Sequence, residues 1–322
     1  MTIRNGLGAL ALRVWRRQRE DLMRDELRAR RDAFLHKIKS RPVFMGILNL
    51  TPDSFSDGGR FQTIDAAVAH AKVMIDEGCD IVDVGGESTR PTAIAVPETE
   101  ELARVEPVLT ALTRVLDVPL SIDTYKAAVA ARAVEIGAAV INDVWGLQKD
   151  SKMAGVVAET EAAVVITHNR AERDATVDIF ADMRRFFDRS LALAATAGIR
   201  NEVIILDPGL GFGKTALQNV EAVMRIPDLK NYGFPILVSV SRKAFLGSLT
   251  GDGIEGTLIG TVAANLMAAV GGASIFRVHD VAEHVAALRV FHALHRSVAP
   301  STGASSTSRS SLCGPSGRNF TC

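Results

Sequence analysis

Eight short aliphatic or β-branched runs recur along residues 42–300, each divided from the next by an alanine-rich amphipathic stretch, and this alternation constrains the fold more than any other feature. The runs are VFMGIL (43–48), DIVDVG (80–85), PLSID (119–123), AAVIND (138–143), AAVVITH (162–168), VIILDPG (203–209), PILVSVS (235–241) and ASIFRVH (273–279). Strands that alternate with helices pair in parallel, because each helix returns the chain to the edge where the next strand starts. Eight such units over about 250 residues fit a (β/α)8 barrel, with an open doubly wound sheet as the alternative. A barrel builds its chemistry on the loops after the C-terminal ends of its strands. Nearly every run here ends in a group capable of chemistry: Asn49, Glu87 to Arg90, Asp123, Asn142 with Asp143, His168 with Asn169, Asp207, Ser241 to Lys243, and Arg277 with His279. Taken singly, each is an ordinary helix cap or solvated surface group. Eight of them at one mouth point to a site.

Composition narrows the class. With 47% hydrophobic and 23% charged residues over 322 positions, the chain can bury a sizeable core and is neither collagen-like nor wholly disordered. Cys79, Cys313 and Cys322 lie too far apart for a disulfide framework or a CxxC metal pair, and suit a reducing cytoplasm. No run approaches the ~18 apolar residues of a membrane span. The early GLGALAL stretch is followed by arginines rather than a small-residue cleavage site, so a signal peptide is not expected.

A net charge of zero hides an asymmetry. Residues 1–41 carry 12 bases and 5 acids, residues 301–322 carry two arginines and no acid, and 42–300 is left with 23 bases and 32 acids. So acidic a body gives no support to nucleic-acid binding. Residues 12–40 read as a basic helix, with Trp15, Leu22, Met23, Leu27, Phe34 and Ile38 at helical intervals. We expect a helix that packs across the bottom of the domain or a partly ordered extension; a membrane surface or an acidic partner is the alternative. Residues 301–322, with seven serines and almost nothing apolar, read as a disordered tail. The expected division is therefore a basic helical extension over 1–41, a barrel over 42–297 and a tail over 298–322.

Asp123, Asn142 and Asp207 would form a cup of two carboxylates and an amide behind the third, fourth and sixth strands. Carboxylates accept paired hydrogen bonds from planar N–H donors, so the cup suits a fused nitrogen ring with a guanidine-like edge. Divalent-metal binding is the rival, but no His or Cys with ligand spacing joins the acids. Arg277 and His279 stand two apart on an extended strand, hence on one face, and suit phosphate or diphosphate. Ser241, Arg242 and Lys243 could add a hydroxyl and cations. The DPGLGFGK segment (207–214) has neither P-loop nor dinucleotide-fold spacing. Its glycines read as the means to fold a tight loop that presents Phe212 as an apolar wall. LTPDSFSDGGRFQ (50–62) and GGESTRPTAIAVP (85–97) have the composition of lids, and Asn49 at the root of the first can reach a metal bound to a diphosphate.

Seven ordered segments, ILNLTPDSFSDGG, DVGGESTRP, SIDTYK, INDVWG, LDPGLGFGK, SVSRKAFLG and FRVHD, resemble the successive signatures of dihydropteroate synthases over about residues 42–295. The resemblance implies a (β/α)8 barrel, usually a homodimer, that joins 7,8-dihydropterin-6-ylmethyl diphosphate to 4-aminobenzoate with Mg²⁺ and is inhibited by sulfonamides. Carried over by position, Asp123, Asn142, Asp207 and Lys243 are the implied pterin set. Asn49, Thr89, Arg277 and His279 are the implied diphosphate set, with Asn49 toward the metal. Thr89, Arg90, Pro91, Phe212 and Ser241 are the implied aminobenzoate pocket, and Asp53, Phe55 and Ser56 belong to the first lid. The implied catalytic group is Asp123, Lys243, Arg277 and His279. One departure stands in ITHNR, where many relatives have Met at the position of Thr167. A pterin-dependent methyltransferase has no use for a diphosphate site, and an inactive pterin-binding homologue would not need all of these residues.

Overall fold

A computed structural model of the protein describes residues 22, 24–50, 64–88, 94–251 and 257–298. Trp15, Met23, the lid residues Asp53, Phe55 and Ser56, the pocket residues Thr89, Arg90 and Pro91, and the tail over 301–322 lie outside the described residues.

A helix over 24–40 (α1) leads into β1 (Val43–Asn49), α2 (Ile64–Asp76), β2 (Ile81–Gly85), α3 (Glu98–Val115), β3 (Leu120–Asp123), α4 (Ala127–Ile136), β4 (Ala138–Asp143), α5 (Met153–Thr160) and β5 (Ala163–Thr167). There follow α6 (Ile179–Ala197), β6 (Ile204–Asp207), α7 (Ala216–Met224), the short α8 (Ile226–Leu229), β7 (Leu237–Val238), α9 (Ala244–Thr250), α10 (Thr257–Val270), β8 (Ile275–Val278) and α11 (Val281–Val298). The strands pair in parallel in the order β6-β5-β4-β3-β2-β1-β8-β7. A bridge between Leu206 and Ile236, with the Leu206 N–H donating to the Pro235 carbonyl at 3.0 Å, closes the ring. The expected (β/α)8 barrel is the observed one, and the open sheet is excluded.

β2 to β6 are buried at every position, as strands must be when helices cover the outside and side chains fill the inside. The run expected over 235–241 keeps only two residues in regular pairing, because Pro235 has no N–H to give and the chain turns at Arg242, whose φ is 54°.

Leu27, Phe34, Leu35 and Ile38 of α1 are buried, at the spacing of one helix face. The polar groups around that face are tied to the residues that precede strands. The Arg28 guanidinium pairs with the Glu161 carboxylate, and buried Arg31 donates to the Glu161 carbonyl. Lys37 and Arg41 bond the Asp80 carboxylate at 2.9 Å and 2.5 Å. Glu161 precedes β5 and Asp80 precedes β2, so α1 lies across the end of the barrel opposite the C-terminal ends of the strands. Phe34→Ala should lower the free energy of unfolding by about 3–5 kcal/mol. An unchanged denaturant midpoint would show instead that α1 is a detachable appendage.

Candidate active site

Strand register sets the rows of side chains at the mouth. Asn49 lies opposite Gly85, Gly85 opposite Asp123, and Asp123 opposite Asn142, so four consecutive strands supply one level. Across the ring Asp207 lies opposite Thr167. A Cβ on Gly85 would stand 3.4 Å from Asn49 Oδ1 and 3.5 Å from Asp123 Cβ, in space those side chains share. Two residues earlier on β2, and therefore on the same face one level down, stands Asp83.

Asp83 is fully buried and organises what lies above it. Its Oδ2 accepts from Arg277 Nε at 2.6 Å and from Asn142 Nδ2 at 3.0 Å. Arg277 also donates to Asp123 Oδ2 at 2.7 Å, so one guanidinium spans two buried carboxylates. One N–H of the Asn142 amide is committed to Asp83, which leaves its carbonyl oxygen and its second N–H for a ligand. Asp123 Oδ1 is buried with no hydrogen-bond partner among the described residues, an acceptor available to a ligand. Burial pushes the Asp123 carboxyl upward against the downward pull of Arg277. Asp207 accepts the Gly209 N–H at 2.7 Å, and burial lifts it to about 6. Two carboxylates and an amide oxygen make acceptors the main groups of the cup, which suits a ligand edge made of donors.

At the opposite side, the Ser241 hydroxyl accepts the His279 N–H at 3.1 Å and lies 2.9 Å from His279 Nδ1. A hydroxyl that accepts there can donate to Nδ1, which leaves the ring proton on Nε2. Burial, reinforced by Arg242 and Arg277, lowers His279 to about 3, so this imidazole is a neutral donor. Arg242 turns away to pair with Asp280 at 2.6 Å. Lys243 Nζ stands 4.2 Å over the Phe212 ring, which places the tip of the β6–α7 loop against the residue that starts α9.

Several groups expected at the strand ends serve the scaffold. Glu87 pairs with Lys126 and accepts from the Tyr125 hydroxyl at 2.8 Å. Asp143 accepts the N–H groups of Trp145 and Leu147, and Asn169 donates to the Val144 carbonyl. Asn49, Asp123, Asn142, Asp207, Ser241, Lys243, Phe212, Arg277 and His279 all stand on strand ends or following loops at the mouth. Asp83, hidden inside an aliphatic run, and Lys214, within a glycine loop, are buried ionisable groups near the mouth that the pattern of strand ends does not mark. The available signal was a carboxylate in the middle of a wholly buried strand, which is rare unless it is paired. No group of three His, Cys, Asp or Glu able to hold a metal occurs among the described residues.

Residues 45–279 match the family model described as "Pterin binding enzyme". The dihydropteroate synthase of Clostridium beijerinckii is 46% identical over 254 residues, covering 79% of this chain and 94% of that protein. The chain belongs to the dihydropteroate synthase family. The Bacillus subtilis synthase is also 46% identical, over 76% of this chain and 85% of its own length. Among solved structures, a Clostridium difficile dihydropteroate synthase in the presence of pteroic acid is 47% identical with a TM-score of 0.76, covering 80% of this chain and 97% of that one. A Xanthomonas albilineans dihydropteroate synthase in complex with 7,8-dihydropteroate is 40% identical with a TM-score of 0.71, covering 79% and 93%. Dihydropteroate synthesis is accordingly the function of the chain, and the barrel is an enzyme. No described helix is long and apolar enough to cross a membrane.

Proposed function

We propose that this mouth joins 7,8-dihydropterin-6-ylmethyl diphosphate to 4-aminobenzoate, with the roles divided between its two sides. The observation that carries the division is Arg277, whose guanidinium joins Asp83 and Asp123 and so couples the acceptor cup to β8. Asp123, Asn142 and Asp207 accept from the N–H edge of the pterin, and Lys243 packs beside it. Arg277, the Nε2–H of neutral His279, Thr89 and Asn49 hold the diphosphate. Thr89, Arg90, Pro91, Phe212 and Ser241 line the aminobenzoate pocket, and the lid carrying Asp53, Phe55 and Ser56 excludes water.

The C–O bond to diphosphate breaks with its electron pair on the leaving group, and the arylamine nitrogen forms the new bond to the methylene carbon. The arylamine nitrogen then passes one proton to water or to the released diphosphate, which leaves a neutral secondary amine. An arylamine is already nucleophilic as the free base, so the site supplies electrostatic stabilisation and orientation rather than a strong base. A hard cation takes oxygen ligands and is commonly held by one or two protein oxygens plus substrate phosphates. The Asn49 amide oxygen fits that need, and Mg²⁺ bound there would neutralise charge on the departing diphosphate.

The enzyme works as a cytoplasmic homodimer in this reading. Support for the dimer is an apolar face on two helices that pack together, with Leu217 and Met224 of α7 and Ile259, Met267 and Val270 of α10 exposed.

Diphosphate release should depend on 4-aminobenzoate and fall in competition with a sulfonamide. Tight pterin binding without any release would establish an inactive homologue instead. Because Asp123 and Asp207 must be ionised to accept N–H donors and burial raises them to about 7 and about 6, kcat/KM should fall as pH drops through those two values. An acidic limb near pH 4 would place ordinary, solvated carboxylates in this role.

A further inference from the structure

Lys214 is 1% exposed; burial lowers it to about 7, and its Nζ stands among three acceptors that favour the ammonium form. It lies 2.7 Å from His168 Nδ1 and donates to the carbonyls of Gly209 at 2.7 Å and Phe212 at 3.3 Å. His168 is itself fully buried, with Phe186 edge-on at 4.9 Å, and its Nε2 lies 3.2 Å from Asp182 Oδ2 on α6. Burial, ahead of the nearby Lys214 charge, lowers His168 to about 4, so its Nδ1 is a neutral acceptor. Asp182 is fixed in turn by Arg170 and Arg185. A buried lysine is costly to desolvate, and a loop that merely had to turn would not need one.

The ammonium sits inside the turn formed by 209–213. Gly209 has φ 66°, and a Cβ there would come within 1.7 Å of the His168 carbonyl oxygen, so the loop is pressed against the end of β5. Beyond the turn, Thr215 caps α7 in a reciprocal capping box with Gln218. Both ends of the loop are therefore anchored, at Asp207 and at Thr215, and Lys214 holds the middle. The Phe212 carbonyl that it binds belongs to the residue whose ring meets Lys243.

We propose that Lys214, seated on His168, is a positioning residue for the second substrate: it clamps the 207–214 loop so that the Phe212 ring stands against Lys243 as a wall of the arylamine pocket. The inference rests on the proposed aminobenzoate role of Phe212 and assigns the clamp to a residue outside that pocket. Lys214 touches neither substrate in this scheme.

The test uses the full-length enzyme. In Lys214→Met, amide hydrogen exchange over 209–213 should accelerate by about tenfold or more. The KM for 4-aminobenzoate should rise by about tenfold, while the affinity for pterin diphosphate, measured by calorimetry, changes by less than about threefold. His168→Gln should shift the same quantities in the same direction by less, and it carries the test if Lys214→Met does not fold. Unchanged loop exchange in a folded variant, or equal losses of pterin and aminobenzoate affinity, would overturn the clamp. Phe212→Ala separates the two ideas. If it raises the KM and renders Lys214→Met nearly silent on top of it, the coupling is confirmed. If Phe212→Ala leaves the KM unchanged, the pocket assignment fails, and loop exchange alone then decides whether Lys214 is a clamp.

Discussion

Asp123→Asn should lower kcat/KM by about a hundredfold to a thousandfold while leaving the barrel folded. The substitution keeps the shape of the side chain but replaces a carboxylate oxygen with an NH₂ group. At this position one oxygen already serves Arg277 at 2.7 Å and the other is buried without a partner among the described residues. An amide can satisfy at most one of these demands, and its donor nitrogen then faces either the guanidinium or the N–H edge of the ligand. The loss should appear in pterin affinity and in turnover together, since a misplaced ring also misplaces its methylene carbon. Removing a buried ionisable group should also weaken the acidic limb of the pH profile, leaving the part due to Asp207. Diphosphate release measured alongside circular dichroism checks this, and a folded variant with normal turnover would remove Asp123 from the reaction.

Arg277→Met should both abolish activity and destabilise the protein, by about 3–5 kcal/mol. The guanidinium is the shared counter-charge of Asp83 and Asp123, and neither carboxylate has another cation bonded to it among the described residues. Its removal strands two negative charges in a region where Asp83 is fully buried and Asp123 nearly so. The size of the effect comes from the charges left behind more than from the pair that is lost. A compensating change should therefore restore stability without restoring function. Adding Asp83→Asn to Arg277→Met should recover a substantial part of the lost unfolding free energy in urea titration, while diphosphate release remains absent. Failure of the double variant to recover any stability would show that Arg277 is held chiefly by packing of its stem.

The largest features were legible in the chain because they repeat. Buried parallel strands must be aliphatic, helices that cover them must be amphipathic, and eight alternations leave few architectures open. The proposed site residues Asp123, Asn142, Asp207, Arg277 and His279 stand out for a related reason: each closes an aliphatic run, and the C-terminal strand ends of a barrel share one mouth. Asp83 was hidden by the same logic. It sits within DIVDVG, where period and composition say strand and nothing says that its carboxylate meets an arginine 194 positions away. Lys214 was hidden because a lysine after a glycine-rich turn looks solvated until the fold closes over it.

Residue pattern and charge distribution suffice for the order of strands and helices, the barrel, the acidic body behind a basic helix, and the family. Tertiary structure alone decided which charges are paired. The bond of Asp83 to Asn142 and Arg277, the seat of Lys214 on His168, and the use of Arg28, Arg31, Lys37 and Arg41 to bind α1 across the barrel bottom all join residues distant in the chain. Local propensity carries no information about such partners. They are set when burial removes water and each remaining polar group must find its complement within about 3 Å.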